Sequence, residues 1–254
     1  MLDNIKKEFS TRTLVLIPIA IVLNIVIGEL VVRLKLPIYL DSIGTVLVGA
    51  IAGPWAGALT GALANLIWGF ITPTAAPFFY VAAVIGFLAG LAGKRGAFAN
   101  ESPRWLSVVI GAVFFFSLAM FIVAFINVNT DAGYAVFPSM RELFSRYTIL
   151  FVAALLAGAA IGFYLLQNGG YAGLAGLVTG IVAAIISAPT AAVVFGGVTG
   201  AGTDLLVAAF RASGGNIWAS VLAQGAVSDP FDKMLSFMVV WLILRSLPAR
   251  FKAQ

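Results

Sequence analysis

The sequence predicts an all-α, polytopic transmembrane helical bundle, and three observations predict it. Hydrophobic residues fill 61% of the 254 positions and charged residues only 10%, so a water-soluble globule of this length would have no place for its apolar surface. Apolar runs of about 15–25 residues recur along the chain, each near the length that crosses a hydrocarbon core of about 30 Å. Glycines at Gly49, Gly53, Gly57 and Gly61 repeat every four residues, a spacing that lets helix backbones approach closely.

Eight spans follow from these runs, at 13–33, 38–53, 54–72, 77–94, 105–127, 146–166, 171–194 and 230–247. The first follows a basic N-terminus and has no small-residue cleavage site, so it reads as a retained helix rather than a signal peptide. The second is short and begins at Pro37, which suits a tilted or partly embedded helix. Gly53-Pro54 ends it and opens the third, because proline is preorganised for a first helical position. TPTAAP separates the third span from the fourth. Between spans seven and eight, residues 196–229 are too polar to cross and too apolar for an ordinary loop, which predicts one or two short helices at the outer surface.

Lys and Arg near the span ends orient the bundle with both termini cytoplasmic. Asp41, Asp131, Glu142, Asp204, Asp229 and Asp232 then fall on the outer side; acids barely influence insertion, so their clustering points to what that face does. The chain forms a single integral membrane domain, 1–254. Within it AGALTGALANLIWGFITPTAA, from Ala56 to Ala76, echoes AGLVTGIVAAIISAPTAA, from Ala175 to Ala192, which suggests a parallel duplication of 13–94 and 105–247.

Cysteine and histidine are absent, and no carboxylates pair at recognisable spacing, so no catalytic residue, metal ligand or cofactor site is expected. The basic residues lie dispersed at helix ends, which speaks against nucleic acid despite a pI near 9.7. GGVTGAGTD lacks the GK[ST] and the strand-to-helix setting of a phosphate loop.

The polar residues that remain converge on the expected outer face. Asp41 and Ser42 stand at the mouth of the second span, where Asp41 either binds ligand or caps the helix that begins near Ile43. Asn65 and Trp68 lie on one side of the third span and serve either as inter-helix contacts or as ligand contacts; Asn65 has Ala184 as its counterpart in the echo. Thr203 and Asp204 either meet ligand or cap a helix at Leu205. SDPFDK reads as a helix start, with Asp229 as N-cap, Pro230 in first position and Asp232 in the first turn, and Asp232 and Lys233 face the same region. Arg211, Asn216, Trp218 and Gln224 add a cation, two amides and an aromatic face. Asn127 opens INVNTDAGY, with Asn129, Asp131 and Tyr134, which reads as a solvated turn or a lid. Together these supply a pocket for a polar, flat small molecule. In the first span Glu29 is expected to pair with Arg33. Ala20, Asn24 and Gly28 form a stripe suited to close contact with another subunit.

At PIYLDSIGTVLVGAIAGPWAGALTGALANLI the chain resembles the substrate-binding S components of energy-coupling factor (ECF) transporters, the riboflavin-type members above all. The pattern is a proline and an acid before a short second helix, then GPxxGxxxGxxxNxI, here Gly53-Pro54, Gly57, Gly61 and Asn65. VAAVIGFLAGLAGKRG also resembles the family's glycine-rich fourth helix, and the likeness covers residues 10–96. It implies a multi-pass protein of a prokaryotic cell membrane, with a six-helix core, that captures a vitamin or related micronutrient at its outer face. Delivery would use a transmembrane T subunit and two cytoplasmic ATPases, with no enzymatic activity in this chain. The chain departs from the family in its eight spans, its insertion, and Asn24 where Ala-x-x-x-Ala is usual. A stand-alone secondary transporter is the alternative that duplicated helices favour, and a membrane sensor or assembly module is a third class.

Overall fold

The computed structural model describes residues 2–36, 38–127 and 140–246. Ten α-helices are present among them: α1 (Leu2–Glu8), α2 (Thr11–Arg33), α3 (Ile43–Ala52), α4 (Pro54–Trp68), α5 (Phe79–Lys94), α6 (Arg104–Ile126), α7 (Met140–Tyr164), α8 (Gly170–Pro189), α9 (Asp204–Ala212) and α10 (Ile217–Ser246). A 3-10 helix over Pro73–Phe78 leads into α5, and α8 continues as a π-helix over Thr190–Val194.

The chain is a helical membrane bundle. Among the described residues, five helical stretches are long and apolar enough to cross a membrane: Thr11–Arg33, Pro73–Lys94, Arg104–Ile126, Glu142–Tyr164 and Gly170–Val194. Their outer faces carry large apolar side chains, such as Val15, Ile19 and Val26 on α2 and Ile149 and Leu156 on α7, all more than half exposed or nearly so. Helices apolar on every side belong in lipid or in a core. The 10 residues of α3 rise only about 15 Å, half of a hydrocarbon core, in keeping with the short second span the sequence indicated.

The α3–α4 turn is set at Gly53, whose φ of 122° is open to glycine and strained for other residues. Glu8 of α1 closes this turn: its buried carboxylate accepts the N–H groups of Trp55 (2.8 Å) and Ala56 (3.2 Å) and pairs with Lys94 Nζ at 2.6 Å. The free N–H groups and positive dipole end of α4 thus meet an anion, and α1 is fastened to the start of α4 and the end of α5.

Two antiparallel hairpins, α4–α5 and α8–α10, face each other across the bundle, and their glycines set how tightly each closes. A methyl group added to Gly57 or Gly61 would strike the backbone of Gly86 or Ala82 on α5, and one added to Gly176 or Gly180 would strike Lys233–Met234 or Asp229–Pro230 on α10. Between the hairpins lies the largest core cluster, including Val46, Ile85, Ala183, Phe237 and Trp241. The α6–α7 pair closes through Gly111 against Gly158.

Two expectations are corrected. The eighth helix starts at Ile217, not near Pro230, so Asp229, Pro230 and Asp232 lie well inside it rather than at its N-terminus. Pro230 is tolerated there because Gly180 leaves room for its backbone. The insertion 196–229 is accordingly one short helix, α9, a glycine-rich loop and the first part of α10. The Ala20, Asn24 and Gly28 stripe faces inward rather than outward. Ala20 backs onto Gly44; Asn24 donates to Thr45 Oγ1 (2.8 Å) and accepts from Gly44 N (2.7 Å); Gly28 lies under the Trp68 ring. Small residues at that spacing serve intramolecular packing as readily as docking, and here α3 and α4 occupy the face.

Candidate ligand-binding cavity

A cavity of about 440 Å³ opens where α4 and α8 end and α5 and α10 begin. That is ample for a small organic molecule. The segment between α2 and α3 forms its floor, the 3-10 helix Pro73–Phe78 and the start of α5 one wall, α8 and α10 another, and the loop before α9 its rim.

The polar floor is built on one face of α10. Asp229, Asp232 and Lys233 stand at i, i+3 and i+4, which brings them to one side of the helix. Lys233 Nζ donates to Asp232 Oδ2 (2.6 Å), Ser42 Oγ (3.1 Å) and Asp41 Oδ1 (3.3 Å). The other oxygen of Asp232 accepts the backbone N–H of Tyr39 (3.2 Å) and of Leu40 (2.8 Å). Leu40 has a φ of 50°, rarely adopted by a branched side chain, and the two bonds from Asp232 hold it there. The α2–α3 segment is thereby folded down into the bundle and its polar residues face the cavity.

From there a hydrogen-bond chain climbs the wall. Ser228 Oγ donates to Asp229 Oδ1 (2.9 Å), Gln224 Nε2 donates to Ser228 Oγ (2.6 Å) and to Tyr39 Oη (3.3 Å), and Tyr39 Oη is hydrogen-bonded to Thr203 Oγ1 at 2.9 Å. Burial, reinforced by the nearby Asp229 carboxylate, pushes the Tyr39 phenol above its ordinary range, so it stays neutral. At the rim the Asp204 carboxylate accepts from Thr199 N (2.8 Å), Thr199 Oγ1 (2.8 Å) and Gly200 N (2.6 Å), which shapes the loop. Phe78 stacks on Phe195 at 5.7 Å between ring centroids, and Tyr80 Oη donates to Ile186 O and meets Thr190 Oγ1, tying α5 to the end of α8.

Among the residues singled out in the sequence, Asp41, Ser42, Asn65, Trp68, Asp204, Gln224, Asp229 and Lys233 line the cavity. Thr203 and Asp232 stand directly behind it, the first on Tyr39 and the second on Lys233 and the floor backbone. The polar groups of Asn65 and Trp68 also brace the wall, as Asn65 Nδ2 donates to Ala75 O (3.3 Å) and Trp68 Nε1 to Glu29 (2.9 Å). Glu29 also pairs with Arg33 at 2.7 Å, as the sequence indicated. Neither Asp41 nor Thr203 nor Asp204 acts as the expected side-chain cap. Asp41 turns to Lys233, Ser42 and Thr203 at the cap positions make no side-chain cap bond, and Asp204 bonds back to its own loop.

Four predicted residues lie elsewhere. Asn127 joins α6 to α7 through Val123 O and the Tyr147 hydroxyl; the rest of its motif, with Asn129, Asp131 and Tyr134, falls outside the described residues. Asn216 accepts from Ala219 N (2.8 Å) at the start of α10, while Arg211 and Trp218 are exposed. Because α10 begins at Ile217, the stretch Arg211–Trp218 forms its entry and does not turn into the cavity. Tyr39 carries no mark in the sequence of its place in the cavity, and Asp229 lies inside α10 rather than at the helix cap its sequence context predicts. The signal for Asp229 was its spacing from Lys233, hidden by the proline between them. Among the described residues no group of three or more Asp, Glu, His or Cys could hold a metal ion. No protein-family model, curated protein or solved structure matches the chain.

Proposed function

We propose that this chain is the substrate-capturing membrane subunit of an ECF-type importer, which binds a vitamin or related micronutrient at the outer face of a prokaryotic cell membrane. Uptake would be driven by partners: a transmembrane T subunit and two cytoplasmic ATPases. The observation that carries the reading is the polar-floored cavity of about 440 Å³ at one end of a bundle of apolar helices, lined by residues of the S-component-like segment 36–71 together with α8 and α10. It has the size and mixed lining of a small-molecule site. In this reading the cavity end faces outward, both termini are cytoplasmic, and the α4–α5 and α8–α10 hairpins descend from a parallel duplication.

Native mass spectrometry of freshly purified protein tests the capture step, and one co-purifying small molecule per chain is expected. Reconstitution tests the coupling: liposomes containing this chain alone should not accumulate that molecule on a proton or sodium gradient. Accumulation under those conditions would instead establish a secondary transporter. That second reading is favoured by one observation, the burial of Asp229, Asp232 and Lys233 together inside a bundle of apolar helices, since ionisable groups buried in a membrane protein often mark ion or proton routes.

A further inference from the structure

We infer that the ligand of this cavity is an organic cation with an aromatic frame, and that Asp229 receives its positive charge; this rests on the reading of the cavity as a nutrient site. The cavity lining carries a mismatch of charge. Asp41 and Asp232 share the Lys233 ammonium, Asp229 lines the cavity one helical turn from it, and Lys233 is the one cationic side chain lining the cavity among the described residues. Its three donors go to Asp232, Ser42 and Asp41. Asp204 also lines the cavity and is engaged by Thr199 and Gly200.

Asp229 is the acid left over. It is 6% exposed, and its side chain has a single hydrogen bond among the described residues, from the Ser228 hydroxyl to Oδ1. A carboxylate held this deep in an apolar bundle, with Lys233 one turn away but no cation in hydrogen-bond contact among the described residues, is stabilised by a positive charge placed against it. The lining next to it suits an aromatic cation. The Phe78 ring, stacked on Phe195, and the Tyr39 and Trp68 side chains present π surfaces. Ala82 and Ala183 leave space between the walls where larger side chains would fill it. An inorganic cation is a poorer match, because no cluster of three or more acidic or other ligating side chains faces a common point among the described residues.

The test uses three near-isosteric probes that differ in charge: benzamidine (cationic), benzamide (neutral) and benzoate (anionic). Binding to the full-length protein in detergent is read by thermal shift and by calorimetry. The expected result is that benzamidine binds about tenfold or more tightly than benzamide, with benzoate weakest, since a charge-assisted bond exceeds a neutral one by about that factor. Asp229→Asn should abolish the preference for benzamidine over benzamide while the unliganded melting temperature stays near wild type. Should Asp229→Asn not fold, Asp229→Glu, which keeps the charge, should retain the preference, and the wild-type series still decides the sign. Glu101→Gln, exposed and outside the cavity, controls for overall charge. Equal or tighter binding of benzamide or benzoate, no binding by any of the three, or a preference that survives Asp229→Asn would each overturn the proposal. The importer reading fails separately. Gradient-driven uptake by this chain alone would end it without touching the charge preference, and a neutral or anionic nutrient with partner-dependent uptake would end the cation proposal alone.

Discussion

The hairpins α4–α5 and α8–α10 are built on the same crossing and filled with opposite chemistry. In each, two glycines four residues apart bring the first helix onto the backbone of the second: Gly57 and Gly61 onto Gly86 and Ala82, Gly176 and Gly180 onto Lys233–Met234 and Asp229–Pro230. Each first helix buries a threonine at the crossing, Thr60 and Thr179, and each leads to a Pro-Thr-Ala-Ala segment beside the cavity. Yet where α5 carries Ala82 and Gly86, α10 carries Asp229 and Lys233. The glycines fix how close two helices come, and the side chains opposite them are then free to differ. One hairpin supplies a smooth wall and the other the charge.

Breaking the charged side should have the largest effect. Lys233→Met leaves Asp232 buried without its cation and should destabilise the protein by about 3–5 kcal/mol in chemical denaturation, as loss of one partner of a buried pair does. Retention of wild-type stability would mean that the two hairpins are energetically alike after all. Next come the crossings. Gly61→Ala and Gly180→Ala each drive a methyl group into backbone and should cost about 1–3 kcal/mol. These two should part in their effect on ligand: Gly180→Ala displaces Asp229 and should weaken binding, measured by calorimetry, more than Gly61→Ala does. Smallest is Asn65→Ala, which removes one bond to Ala75 and should cost about 1 kcal/mol of stability. Loss of ligand affinity in that variant at near wild-type stability would add the smooth hairpin to the recognition surface.

Much of this arrangement was legible in the sequence. Continuous apolar runs can only be membrane or core helices, and Gly53-Pro54 marks a turn on its own, because proline suits a first helical position and glycine the positive φ before it. Asp41, Ser42, Asn65 and Trp68, which line the cavity, drew notice in the sequence because polar groups in an apolar stretch need a reason to be there. Pro230 misled, since the local rule that proline opens helices competes with a tertiary fact, the room that Gly180 leaves opposite it. The Ala20, Asn24 and Gly28 stripe misled differently: small residues announce close packing and do not say against what. Tyr39 could not be read at all. Its role depends on Leu40 being folded back by an acid 192 residues away.

The Glu8 clasp on the start of α4 has a mechanical consequence. Its carboxylate fixes one end of that helix to α1 and to Lys94, while the far end, with Asn65 and Trp68, borders open space. The 15 residues of α4 span about 22 Å, so the clasp and the cavity sit at opposite ends of one rigid rod. A ligand that fills the cavity thus meets a wall whose far end is already anchored, and the contacts it can disturb are those at its own end, Asn65 to Ala75 and Trp68 to Glu29.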